Sequence, residues 1–291
     1  MSKDNFQPAD LPYRYEFEAD ELTAIKTCHD AHGFAIVKNM LSPDYVEELK
    51  ESVSQVLDPE GNLGLGETRV KHAFIEYSKP LWKLLENEDY LNINQRIFGT
   101  DALTIHRSAA ILKNVESGPV LWHTDWCGFS EPPPKHSGDV LNRGDWPNGM
   151  WFYLNGTHPS RAGLAVIEDS HKADWQPPDG FEFTEDRRSF HRTGEEPKPY
   201  DRMDMSGTVP LFTEPGDLII FAARTYHGAF PHGGDEPRLS CGFIFRPTQE
   251  KLSIPWELPE SAHQFMEGLA PELQRYVEDY PSIDIGWKPA D

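Results

Sequence analysis

The sequence predicts a mostly β fold with flanking helices, its core an antiparallel sandwich or barrel such as a jelly roll. Three observations predict it. From residue 102 to about 248, short apolar segments of strand length follow one another with no long helix between them. Pro/Gly turn signals separate several of these segments, as in "EPGD" at 214–217, where Pro215-Gly216 suits a type II turn. Helical spacing is confined to the first hundred residues and to a stretch near the C-terminus.

Leu22, Ile25 and Cys28 recur at helical spacing, and Gly33 stands where that helix would stop. "FAIVK" at 34–38 reads as a strand. A second helix opens with Ser42 as N-cap and Pro43 at its first position, with Val46, Leu49, Val53 and Leu57 as its apolar stripe. A third is expected over 80–98. The strand candidates are then "ALTIHRSAAILK", "VLWHTD", "MWFYLN", "GLAVIED", "VPLFTE", "DLIIFAA" and "RLSCGFIFR". Residues 127–149 and 172–208 are polar, Pro-rich and aperiodic, the pattern of long loops that act as lids or binding loops. "ESAHQFMEGLAPELQRYVEDY" returns to helix, broken at Pro271. The chain of 291 residues is therefore read as one domain: a helical part over about 1–100, a jelly-roll core over about 102–248 and C-terminal helices over about 257–280.

Composition narrows the function. With 27 basic and 48 acidic residues the net charge is −21, a surface that repels phosphate backbones. Nucleic acid and anionic membranes are poor partners for it, and a small molecule is the better expectation. The three cysteines, Cys28, Cys127 and Cys241, are far apart and form no C-x-x-C, which points to a reducing compartment. The acidic start lacks the apolar core of a signal peptide, so a cytoplasmic location is expected.

The chemistry-bearing pattern is "VLWHTDWCGF" at 120–129. On a strand, positions i and i+2 share a face, so His123 and Asp125 point one way and Trp122, Thr124 and Trp126 the other. Two histidines and a carboxylate with open positions form the facial triad of a non-haem Fe(II) oxygenase. The third ligand is sought in "GDLIIFAARTYHGAFPHGGDEPRLSCGFIFRP", where both His227 and His232 follow a strand. On the next strand Arg238, Ser240 and Gly242 share a face, opposite Leu239, Cys241, Phe243 and Phe245. A core strand buries an arginine at high cost unless an anion pairs with it, and a hydroxyl beside a glycine gap completes a cradle for a carboxylate.

In these residues the chain resembles the phytanoyl-CoA-hydroxylase-like branch of the Fe(II)/2-oxoglutarate-dependent dioxygenases. His123-Thr-Asp125, His227 and Arg238-Leu-Ser240 follow the family's order, and the step of eleven from His227 to Arg238 matches it where a step of six from His232 does not. "GFAIVKNMLS", "AGLAVIEDSHK" and "EPGDLIIF" also stand in that order, so the likeness runs from about residue 33 to 248. There are departures. Glu168-Asp169-Ser170-His171 stands where relatives usually read Pro-Gly-Ser-His, His232 where many carry Asn, and 102 positions separate Asp125 from His227.

The resemblance implies a double-stranded β-helix, a cupin-like jelly roll, with His123, Asp125 and His227 as ligands of Fe(II). It implies 2-oxoglutarate as cosubstrate, its far carboxylate received by Arg238 and Ser240, and O₂ as oxidant. Succinate and CO₂ are then released as a C–H bond of the substrate is oxidised. Related halogenases lack the carboxylate ligand, so Asp125 implies hydroxylation or a kindred oxidation. Trp126, Tyr153 and Arg107 are the candidate substrate contacts, with Trp122 and Trp151 equally suited to core packing; alternation does not say whether His106 or Arg107 faces the pocket. His171 reads as a hydrogen-bonded turn residue. The cluster Arg187, Arg188, His191 and Arg192 reads as paired with Glu185, Asp186, Glu195 and Glu196, or as a lure for an anionic substrate. A non-oxidative metal-dependent hydrolase or isomerase, and an inactive binding protein of the same fold, are the competing classes.

Overall fold

The computed structural model describes residues 6–125, 149–250, 254 and 256–283. Among them are thirteen strands: β1 (Glu16–Phe17), β2 (Phe34–Val37), β3 (Thr68–His72), β4 (Leu103–Lys113), β5 (Val120–His123), β6 (Gly149–Tyr153), β7 (Leu164–Ile167), β8 (Phe181–Phe183), β9 (Phe190–Arg192), β10 (Thr208–Pro210), β11 (Leu218–Phe221), β12 (His227–Ala229) and β13 (Arg238–Pro247). The larger sheet has the order β1-β2-β11-β6-β13-β4-β3, the smaller β10-β7-β12-β5, and β8 pairs with β9 as a separate hairpin. All pairings are antiparallel except β1 with β2, so the mostly β jelly-roll class holds.

Strand alternation sorts the side chains into three layers. Phe34 and Ile36 of β2, Ile219 and Phe221 of β11, and Leu164 and Val166 of β7 pack together between the sheets. Ala35, Val37, Leu218, Ile220, Leu239, Cys241, Phe243 and Phe245 join a larger core with the helices. On the far face of the smaller sheet, Trp122, Ala165, Ile167 and Tyr226 pack against Phe190, Tyr200 and Met205. Those last three come from the stretch 172–208, which sequence leaves as loop. It contains the β8–β9 hairpin and its apolar residues cover the smaller sheet. Of the other aperiodic stretch, residues 127–148 lie outside the described part.

The helices follow their expected signals. Helix α1 (Leu22–His32) ends at Gly33, which takes φ 82° and donates to the His29 carbonyl. Helix α2 (Pro43–Leu57) starts at Ser42, whose hydroxyl accepts from the Tyr45 amide. The single helix expected over 80–98 is instead α3 (Lys79–Trp82), a 3₁₀ turn and α4 (Glu88–Phe98). The break has a cause: the Asn87 carboxamide accepts from the Tyr90 amide at 2.9 Å and starts a new helix. Helix α5 (Glu260–Gly268) and a 3₁₀ segment, Pro271–Val277, flank Pro271 as expected. The N-terminal hundred residues also supply β1, β2 and β3, so the larger sheet is not confined to 102–248. Gly216 of the expected turn has φ 95°, and its carbonyl accepts from the Leu41 amide at 3.0 Å, tying the loop before α2 to the turn before β11.

Candidate metal centre

β5 and β12 are neighbours in the smaller sheet, and their register sets His123 directly opposite His227. The imidazole centroids are 4.2 Å apart. Asp125 follows two residues beyond His123, on the same face by alternation. One ligand atom from each of His123, Asp125 and His227 falls within 4.8 Å of the other two. Each histidine Nδ1 lies against a backbone carbonyl, His123 on Leu121 at 2.8 Å and His227 on Thr225 at 3.0 Å. With Nδ1–H donating there, each Nε2 keeps its lone pair for a cation.

Electrostatics suit a cation too. Burial works to raise the Asp125 carboxyl, but Arg107, His227 and His123 outweigh it and hold the group well below the usual carboxylate range. Burial, with His123 beside it, pushes His227 down to about 4, so this imidazole is neutral at pH 7. The donor set therefore fits a divalent ion of the Fe(II) kind: two imidazoles and one carboxylate. His232 is not part of the group; its Nδ1 accepts from the Gly234 amide.

The opposite wall of the cavity belongs to the larger sheet. Arg238 is 3 % exposed and Ser240 fully buried. Arg238 Nη1 donates to the Ala162 carbonyl at 2.9 Å, and the guanidinium lies 4.7 Å from the Tyr153 ring centroid. Arg238 Nε and Ser240 Oγ are buried with no hydrogen-bond partner among the described residues, and no carboxylate there pairs with Arg238. Two orphaned donors beside a buried cation fit a missing carboxylate. Lys113 lies across the ladder from Arg238 and donates to the Gly118 carbonyl at 2.7 Å; burial and the Arg238 charge push it down to about 8. Sequence reasoning missed Lys113, although the alternation of β4 carries it on the Arg107 face. The glycine gap expected at Gly242 is taken by the protein itself, since a Cβ there would stand 2.3 Å from the Met150 carbonyl oxygen.

Between the sheets lies a cavity of about 240 Å³ lined by the three candidate ligands, Arg107, Arg238 and Trp151 among others. Tyr153 lines it as well, against Arg238. Arg107, not His106, faces inward, and its Nη2 donates to Asp125 Oδ2 at 2.8 Å. Arg107, a candidate substrate contact by sequence, thus lines the cavity with a candidate ligand as its partner. His72 and Val70 of the edge strand β3 also reach the cavity, and sequence patterning gave no signal for them. Trp122 points away and is sealed under 172–208; Trp126 lies outside the described residues. Arg187 and Arg192 lie over the Phe183 and Phe181 rings, Arg192 also donates to the Tyr200 hydroxyl, and the Arg188 side chain reaches the Thr124 carbonyl. Beside these aromatic and backbone contacts, Asp186 Oδ1 accepts from the Arg188 amide at 3.0 Å, and Glu182 lies 3.9 Å from His191 Nδ1. His171 meets the Asp30 carbonyl at 3.0 Å, as a turn histidine should. At the unusual turn, Glu168 and Asp169 face His32, which stacks on Tyr13.

The family profile described as phytanoyl-CoA dioxygenase (PhyH) matches residues 29–240. The chain belongs to the phytanoyl-CoA dioxygenase family. As a phytanoyl-CoA dioxygenase family member it is an enzyme, an iron- and 2-oxoglutarate-dependent oxygenase that uses O₂. A curated relative, the 1-deoxypentalenic acid 11-beta-hydroxylase of Streptomyces arenae, is 23% identical over 278 residues, 87% of this chain and 92% of that protein. Among solved structures, the non-heme alpha ketoglutarate dependent epimerase SnoN of nogalamycin biosynthesis is similar at TM-score 0.57 and 20% identity, covering 79% of this chain and 84% of SnoN. The structure of HygX from Streptomyces hygroscopicus, with nickel and 2-oxoglutarate bound, is similar at TM-score 0.58 and 15% identity, covering 76% and 85%. At such identities these likenesses speak for the jelly-roll fold. Among the described residues no helix is long and apolar enough to cross a membrane.

Proposed function

We propose that His123, Asp125 and His227 hold the Fe(II) of this oxygenase, and that Arg238 and Ser240 receive the far carboxylate of 2-oxoglutarate. The observation that carries the reading is the meeting of three donor atoms, on two adjacent strands and just past the end of one, within 4.8 Å, across the cavity from a buried arginine with no carboxylate partner among the described residues. An anion cradle is idle in a metal-dependent hydrolase or isomerase, which favours the oxidative class. Iron with 2-oxoglutarate and O₂ supplies an oxidant able to take hydrogen from a C–H bond, with succinate and CO₂ as co-products.

The chain's own part is placement and protection. The carbonyl contacts of Nδ1 fix the ring orientation of His123 and His227, so that Nε2 is the nitrogen each offers to the metal. Tyr153 gives the Arg238 guanidinium a ring to lie on, so the cation is aimed before the anion arrives. Val70, Ile111, Trp151, Ile244 and Ile283 make the remaining wall largely apolar, which suits a substrate whose reacting part is hydrocarbon. By analogy with the relative named for 1-deoxypentalenic acid, a small free metabolite is the proposed substrate, hydroxylated and not halogenated, since Asp125 fills the third ligand position. The reading includes one catalytic domain over the chain, a cytoplasmic location and no nucleic-acid partner, supported by the net charge of −21.

Adding 2-oxoglutarate to the anaerobic Fe(II) protein tests this. A metal-to-ligand charge-transfer band should appear, be lost in Asp125→Ala with the iron, and need more 2-oxoglutarate in Arg238→Ala. Absence of both the band and 2-oxoglutarate binding in the wild type overturns the assignment.

A further inference from the structure

We infer that Arg107 is a positioning residue for the metal centre, holding one oxygen of Asp125 so that the carboxylate offers the metal a single donor. The inference rests on the ligand assignment proposed above. Asp125 aims its two oxygens differently. Oδ2 accepts the 2.8 Å hydrogen bond from Arg107 Nη2. Oδ1 is the oxygen on the imidazole side, 3.9 Å from His123 Nε2. A carboxylate free to turn can give both oxygens to a divalent ion, and so fill a position that a facial triad must leave open. A charge-assisted bond from a guanidinium opposes that turn.

Arg107 and Asp125 belong to different parts of the fold. Arg107 stands in the middle of β4, paired with Ile244 of β13 beside a register shift, two residues before the stretch of β4 that β3 covers. Asp125 lies beyond the last residue of β5, where the strand ladder has ended. The pair also crosses from the larger sheet to the smaller, so a strand of one sheet holds a candidate ligand carried by the other. The other inward cations are committed elsewhere, Arg238 to the Ala162 carbonyl and Lys113 to the Gly118 carbonyl. The Asp125 bond is the polar contact Arg107 makes among the described residues.

The alternative is that Arg107 merely neutralises a carboxylate. It would then compete with the metal, and its removal would tighten metal binding without touching 2-oxoglutarate. Full-length wild type, Arg107→Met and Arg107→Lys are to be titrated with Co(II), read by its visible bands, and then with 2-oxoglutarate at saturating metal. The clamp predicts altered bands and about tenfold weaker 2-oxoglutarate binding in the Met variant, folded by circular dichroism, with most of both recovered in the Lys variant. Unchanged bands with 2-oxoglutarate affinity within about threefold of wild type in the Met variant would overturn it. Should the Met variant not fold, Arg107→Gln is read by the same two measurements with the same expected and overturning results. Loss of metal and 2-oxoglutarate binding in the wild type removes the ligand assignment itself; a normal wild type with unmoved variants removes the Arg107 role alone.

Discussion

Arg238 shows how much one buried side chain can report. Its charge costs desolvation that the Ala162 carbonyl and the Tyr153 ring offset only in part, and burial depresses its ionisation. Supplying a carboxylate should repay the rest. Arg238→Ala is therefore expected to weaken 2-oxoglutarate by about 10- to 100-fold, the worth of a charged hydrogen bond, with Ser240→Ala losing about 1 kcal/mol. Titration of the charge-transfer band at saturating Fe(II) measures both. These two residues were legible because alternation on one long strand sets a polar face against Leu239, Cys241, Phe243 and Phe245, and β13 keeps that alternation. His106 and Arg107 were not, since both outcomes leave a polar group buried. Register decides it: Arg107 lies opposite Ile244 and faces the cavity, and His106 turns away from it.

At the scale of elements, the two ligand strands are held from behind. The Thr124 amide donates to the Arg188 carbonyl at 2.8 Å, Ser189 Oγ to the Trp122 carbonyl, and the Tyr226 hydroxyl to the Arg187 carbonyl. A single segment thus grips the chain on either side of His123 and just before His227. Tyr226→Phe and Ser189→Ala should each cost about 1 kcal/mol in urea unfolding and also weaken Co(II) binding, whereas a remote cap such as Ser42→Ala should cost stability alone. Trp122→Ala should cost about 3–5 kcal/mol by the same assay, because the indole is fully buried against Phe190. This covering role was not legible, because strands of three residues such as β8, β9 and β12 carry too few positions for periodicity to show. Strand β3 was missed for another reason: it is a polar edge strand, half exposed, with the sequence Thr-Arg-Val-Lys-His. The longer strands and capped helices were legible because their signals repeat.

For the molecule as a whole, acid is the stress to watch. Burial first, then Arg107 and Arg246, holds His106 well below its ordinary value of 6.5. The native state keeps this ring neutral while the unfolded chain takes a proton as pH falls through 6.5. Its contribution is therefore intact above that pH and declines below it, by up to about 1.4 kcal/mol per pH unit. Unfolding followed from pH 7.5 to 5.5 should show the fall, and His106→Phe should flatten it if the variant folds.

The alternation of β13 has one more effect. It turns Cys241 to the helix side, where burial lifts its thiol to about 12, and Cys28 is likewise buried. An enzyme that handles activated oxygen endangers itself whenever no substrate is there to consume it. These two buried sulfurs are shielded from such accidents, while Trp151 and Tyr153 line the cavity itself. Idle turnover should therefore scar the aromatic pair and spare both thiols, a pattern that peptide mass mapping would record as one added oxygen.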